Sequence, residues 1–212
     1  MTKLKTPPRP YGRGVGEGNV PPRYRGGDGE GHEQPFDRFQ AARLGLYIFL
    51  GALTTMFGAL AVLYLLRTPV RAEFAFQMPK LAWFSTALIL LSSIPCQMAL
   101  NAARADNLRG VWRGMLFTLM LGAVFLALQL GSWGEIARQL QGAPAHFFTA
   151  MFYVISAIHG LHLLGGLVFV GILLYQAQVA RRVNAQSVEL GAIYWHFLGA
   201  LWAILFGVML IK

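Results

Sequence analysis

The sequence predicts an all-α fold, a polytopic membrane bundle of five transmembrane helices, and three observations lead there. Of 212 residues, 56% are hydrophobic and only 13% charged, against about 25% charged in an ordinary soluble domain. The mean hydropathy is +0.50. The apolar residues are also grouped: stretches free of Asp, Glu, Lys and Arg run Leu44–Leu66, Leu81–Ala103, Gly114–Gly134, Ala145–Ala180 and Leu190–Ile211. Most lie close to the ~20 residues that cross about 30 Å of hydrocarbon at ~1.5 Å per residue. One such run could be a buried core helix, but five in succession are membrane spans. They are placed at about 44–66, 81–103, 112–134, 146–180 and 189–211, within a membrane domain of residues 39–212.

Residues 1–38 are rich in Gly, Pro and Arg and lack apolar periodicity, so they are expected to be a disordered cytoplasmic tail. They contain no apolar h-region, so no signal peptide is expected. The net charge of +9 is not a nucleic-acid signature. Residues 1–42 hold seven basic and five acidic residues, and most of the excess flanks helices. Arginine placement sets the topology. Eight basic residues (Arg25, Arg38, Arg43, Arg104, Arg109, Arg113, Arg181 and Arg182) share the side of the N-terminus. Five (Arg67, Arg71, Lys80, Arg138 and Lys212) lie on the other. That asymmetry places the N-terminus inside. The single Cys96 falls in the second span, so no intrachain disulfide can form.

In the first span Gly51, Ala52, Thr55, Gly58, Ala59 and Val62 share one face at helical spacing. Small residues let membrane helices approach closely, so this face is expected to pack against another helix. In the second span Ser93, Gln97 and Asn101 recur every four residues beside Ser92 and Cys96. Gln129 in the third span and Thr149, Tyr153, Ser156 and His159 in the fourth add polar groups, for which interhelical hydrogen bonds are the default. None of the five uncharged stretches contains a carboxylate, which counts against a transporter or pump acting through this chain alone.

The fourth uncharged run is about 36 residues, ~54 Å as a straight helix, so it must tilt or project from the bilayer. His159 and His162 lie on it, and His196 lies early in the fifth span. With Arg181 and Ser187 taken as level helix ends, His162 and His196 differ in depth by roughly 15 Å. Structural, hydrogen-bonded histidines are therefore expected rather than metal or haem ligands. Ser187 is the expected N-cap of the fifth span, with Glu189 in its first turn stabilised by the helix dipole. No catalytic triad, phosphate loop, CxxC pair or zinc-helix motif is present.

Phe152–Gly166 reads FYVISAIHGLHLLGG and Val188–Trp202 reads VELGAIYWHFLGALW. In that order, with a basic connection between them, they resemble the end of subunit III of haem-copper respiratory oxidases. LLSSIPCQMAL in the second span and FLALQ in the third extend the resemblance, which covers roughly Arg43 to Ile211. It implies an accessory subunit of a cytochrome c or quinol oxidase in a bacterial-type inner membrane, in the short, five-helix form of the family. Subunit I, with haem and copper, would reduce oxygen and pump protons, beside subunit II and smaller subunits. This chain would hold phospholipid but no redox cofactor or catalytic residue. His159, His162, Glu189, Tyr194, Trp195 and His196 match the family pattern as structural or lipid-contact positions, while Gly51, Thr55, Gly58, Ser93, Gln97 and Gln129 are the packing candidates. Three acids usual in the family are missing, with Leu53, Ser132 and Gly199 in or nearest their places. A divergent oxidase branch, a nitric oxide reductase assembly, an independent transporter and a di-histidine haem carrier stay open. The electron donor is not readable from this chain.

Overall fold

The structure is a computed structural model that describes residues 38–67, 79–139, 147–181 and 183–211. The expected disordered tail and the connection around Gly142 to Ala145 lie outside these residues. The helices, in chain order, are α1 (Arg38–Arg67), α2 (Lys80–Leu91), α3 (Ser93–Arg104), α4 (Leu108–Gln139), α5 (Phe147–Tyr175) and α6 (Ala185–Leu210). A wider π turn, Gln176–Ala180, extends α5. Taking α2 with α3, five segments among the described residues are long and apolar enough to cross a membrane.

The second span is split by its own sequence. Pro95 has no N–H, so the Leu91 carbonyl loses the donor four residues on, and the helix breaks at Ser92. The Ser92 hydroxyl donates to the Ile89 carbonyl at 2.6 Å. The turn into α4 is short: Asp106 takes a left-handed conformation (φ 51°). The Asn107 side chain then caps α4, accepting from the Gly110 N–H at 3.1 Å.

α6 lies against α1, α2, α3 and α5, whereas α4 lies against α2, α3 and α5. In its most apolar stretch α6 is 44% buried within the protein and α1 only 17%, so α6 is the hub and α1 the outermost helix. One core joins α2, α3, α4, α5 and α6 around Phe125, Leu163, Trp195 and Trp202. The other joins α1, α4, α5 and α6 around Leu53, Phe57, Phe152 and Leu205. Close approach of α3 to α4 requires Gly114, where a Cβ would stand 2.7 Å from the Pro95 carbonyl oxygen. A Cβ on Gly122 would stand 2.6 Å from the Trp195 ring.

Three expectations are corrected here. Among the described residues the face of α1 bearing Gly51, Thr55 and Gly58 meets no other helix: a Cβ on Gly51 or Gly58 would meet nothing within 4 Å, and the Thr55 hydroxyl donates to the Gly51 carbonyl of its own helix. The larger Leu50, Leu53, Phe57 and Tyr64 bury α1 instead, because they offer more contact area on the opposite face. The α6 cap is Asn184, which accepts from the Gln186 N–H at 2.9 Å, so Ser187 is already helical and Glu189 sits beyond the first turn. The α5 and α6 ends are also not level. The π turn carries α5 past the start of α6, and Gly166 faces Tyr194, Trp195 and Leu198. That pairing sets His162 about three residues deeper than His196, roughly 5 Å rather than 15 Å.

Candidate functional site

Three aromatic residues of α6, Tyr194, Trp195 and Trp202, each send a hydrogen bond to another helix. Tyr194 donates its hydroxyl to the His162 carbonyl of α5 at 2.9 Å. Trp195 donates its indole N–H to Ser92 Oγ at the break between α2 and α3, at 2.8 Å. Trp202 donates to Thr86 Oγ1 on α2 at 3.0 Å. Ser92 is thereby satisfied twice, as donor to Ile89 and acceptor from Trp195. In hydrocarbon such bonds fix helix position more than they add energy, at about 0.6 kcal/mol on average.

His159 is enclosed by rings. It lies 4.9 Å from the Trp202 centroid, 6.2 Å from Phe125 and 6.1 Å from Phe57. It is 1% exposed, and neither ring nitrogen has a hydrogen-bond partner. His162 is held differently: its Nδ1–H donates to the Ile158 carbonyl at 2.8 Å, and its ring sits 5.9 Å from Phe57. His196 faces another way, its Nε2 3.3 Å from Gln97 Oε1. The smaller depth difference does not bring His196 to the other two: His159 and His162 both lie beside Phe57 of α1, whereas His196 lies beside Gln97 of α3. Among the described residues no group of three or more His, Cys, Asp or Glu could hold a metal ion.

The second-span polar row divides. Ser92 and Cys96 are buried, but Gln97 and Asn101 are exposed, with Gln97 Nε2 3.3 Å from Asn101 Oδ1. Ser93 is half-buried, 3.9 Å from where a Cβ on Gly199 would stand. Gln129 is buried; its Oε1 lies 3.3 Å from Ser85 Oγ, while its Nε2 has no partner. Tyr153 donates to the Trp133 carbonyl and Trp133 to Ser156 Oγ, both at 3.0 Å, tying α5 to α4. Glu189 forms an ion pair with Arg104 at the end of α3, at 3.4 Å. Of the family's acid positions, Leu53 is packed in the α1 core, and Ser132 is buried with its hydroxyl on the Leu128 carbonyl.

Sequence reasoning did not single out Thr86 or Trp202, nor the pairing of Arg104 with Glu189. It also left Arg109 and Arg113 as topology markers and did not single out Trp112, although their spacing on one face of α4 was readable. These residues line a cavity of about 530 Å³ together with Gln178 and Arg181.

Comparison with known proteins gives one consistent result. The family model described as cytochrome c oxidase subunit III matches residues 47–211. A probable cytochrome c oxidase subunit 3 of Nocardia farcinica is 33% identical, over 60% of this chain and 64% of its own length. The cytochrome c oxidase subunit 3 of Thermostichus vulcanus is 29% identical, over 85% of this chain and 90% of its own. The quinol oxidase subunit 3 of Bacillus subtilis is also 29% identical, over 77% and 83%.

Proposed function

Because the chain belongs to the cytochrome c oxidase subunit III family of haem-copper oxidases, we propose that it packs against the haem- and copper-bearing subunit I and supports oxygen reduction coupled to proton translocation. The observation that carries this is the character of its interior. Most of the buried polar groups described above tie helix to helix or lie among rings, and Tyr194, Trp195 and Trp202 of α6 form the anchor points. A supporting subunit has to be rigid and needs no nucleophile, base or metal of its own.

The outermost helix α1 carries its small residues Gly51, Thr55 and Gly58 on the outside, a surface suited to close packing against a helix of a partner. Subunit II and smaller subunits complete the assembly. Phospholipid fills the interface, and the chain sits in a bacterial-type inner membrane. The arginine excess supports an N-terminus on the cytoplasmic side. The family match and the relatives' names do not favour a nitric oxide reductase subunit or an independent transporter.

The test is removal. An oxidase purified from cells lacking this chain is expected to keep its haem spectrum and initial turnover. It should lose activity faster during sustained turnover and pump fewer protons per electron. Unchanged durability and pumping would defeat the supporting role.

A further inference from the structure

We infer that the open face of α6 between α1 and α3 receives one membrane-spanning helix of a partner subunit, held by Gln97 and Asn101 through a hydrogen-bond acceptor on that helix. The inference rests on the packing role proposed above, which supplies the partner. Three successive residues of α6 locate the face. Gly199 lies toward α2 and α3: a Cβ there would stand 3.9 Å from the Ile89 carbonyl oxygen and from Ser93 Oγ. Leu201 belongs to the core that holds Leu53 and Phe57 of α1. Ala200, between them, is exposed, and Ile204 one turn further on is 64% exposed. Among the described residues α1 packs against neither α2 nor α3. The two sides therefore stand apart, with α6 as the floor of a groove.

The α3 side of this groove is polar at a depth where lipid is apolar. Its headgroup end is marked by the ion pair of Arg104 with Glu189 at 3.4 Å. Glu189 also acts electrostatically on Arg43 of α1, so the groove is bracketed by α1 and α3 at that end. Gln97 lies about 10 Å along α3 from Arg104, at ~1.5 Å per residue. It is exposed, as is Asn101. Gln97 Oε1 faces His196 Nε2 and Gln97 Nε2 faces Asn101 Oδ1, both at 3.3 Å. These contacts use one N–H of Gln97. Its second N–H and the Nδ2 group of Asn101 have no partner among the described residues.

The groups left over are amide donors, and this selects the occupant. Acyl chains carry no acceptor, so lipid in the groove would leave these N–H groups unpaired in an apolar medium, at a cost in free energy. A spanning helix with a Ser, Thr, Asn or Gln side-chain oxygen at the depth of Gln97 supplies the acceptor, and such side chains join helices in membranes. Ala200 on the floor is small enough to let the backbone of that helix come close. The polar row of α3 is then an interface between chains, where the row around Ser92 is one within the chain.

The experiment uses the full chain, tagged, in its native membrane. A photoreactive phenylalanine analogue is placed at Ile204 and, as a control on the outward face of α5, at Ile172, which is 47% exposed. Irradiation should join position 204 to a spanning segment of another protein that carries one of those polar side chains, and position 172 to lipid. A200W fills the groove from an exposed position, so it should lower copurification of the partner roughly tenfold, while the unfolding midpoint of the chain itself stays at the wild-type value. I172W should change neither. N101L should weaken copurification roughly threefold, the worth of one such bond, and N101Q should restore most of it. Lipid adducts alone from position 204, in a complex that still holds its haem, would overturn the groove and leave the supporting role standing. Full copurification with A200W would overturn it as well. A protein adduct from position 204 in a preparation without haem would keep the groove and overturn the supporting role.

Discussion

Gly122 offers a sharp test of how tightly the α6 hub is packed. A Cβ at this position of α4 would stand 2.6 Å from Cη2 of Trp195 and 2.8 Å from Cδ2 of Leu167. Trp195 cannot swing away cheaply, because it is 1% exposed and its indole N–H is committed to Ser92. Overpacking of this kind costs about 1–3 kcal/mol, against a gain of about 1 kcal/mol in helix propensity when alanine replaces glycine. G122A should therefore destabilise the chain by up to about 2 kcal/mol. G58A, where the new methyl meets nothing within 4 Å, should be neutral or stabilising by up to about 1 kcal/mol. The assay is equilibrium unfolding in mixed micelles of mild detergent and dodecyl sulfate, followed by circular dichroism. A second arm adds W195F, which removes the ring atoms nearest Gly122, so the double variant should recover part of the loss. Equal stability of G122A and G58A, with no coupling to W195F, would refute the packing argument.

The other predictions use the same unfolding assay. H159F should lie within about 1 kcal/mol of the wild type, because the histidine nitrogens make no hydrogen bond and the ring alone is packed; H159A should cost about 3 kcal/mol through the cavity left among Phe57, Phe125 and Trp202. If H159F were as damaging as H159A, the ring nitrogens would carry a role the packing account lacks. W202F should cost about 0.6 kcal/mol for the bond to Thr86, and no more than roughly 2 kcal/mol in all. E189Q should cost at most about 1 kcal/mol, since Arg104 is 57% exposed, and the difference should shrink in high salt.

The five spans were legible because a bilayer imposes a length and a composition that uncharged runs display directly. The break at Ser92 was also present in the sequence, in Pro95, although the second span was read as one piece. The packing of α1 was less legible. Small residues mark a face able to approach another helix, but nothing in the pattern says whether that helix belongs to the same chain. The register of α5 against α6 was lost for a different reason: a π turn and the Asn184 cap shift the helix ends, and depths counted from a connection inherit that shift. Tyr194, Trp195 and His196 were visible through their motif, whereas Trp202 and Thr86 were not singled out. Their bond depends on two helices meeting across more than a hundred residues of sequence, which no local spacing encodes.

In the proposed role this chain supports a haem-copper oxidase without carrying its chemistry. That role is tested most directly by purifying the chain, tagged, from its native membrane in mild detergent, and recording the mass and optical spectrum of what comes with it. The expected result is a complex whose haem absorbance belongs to a second subunit, and a chain without a Soret band once that subunit is stripped away. A chain that purifies alone, or keeps stoichiometric haem after stripping, would contradict it.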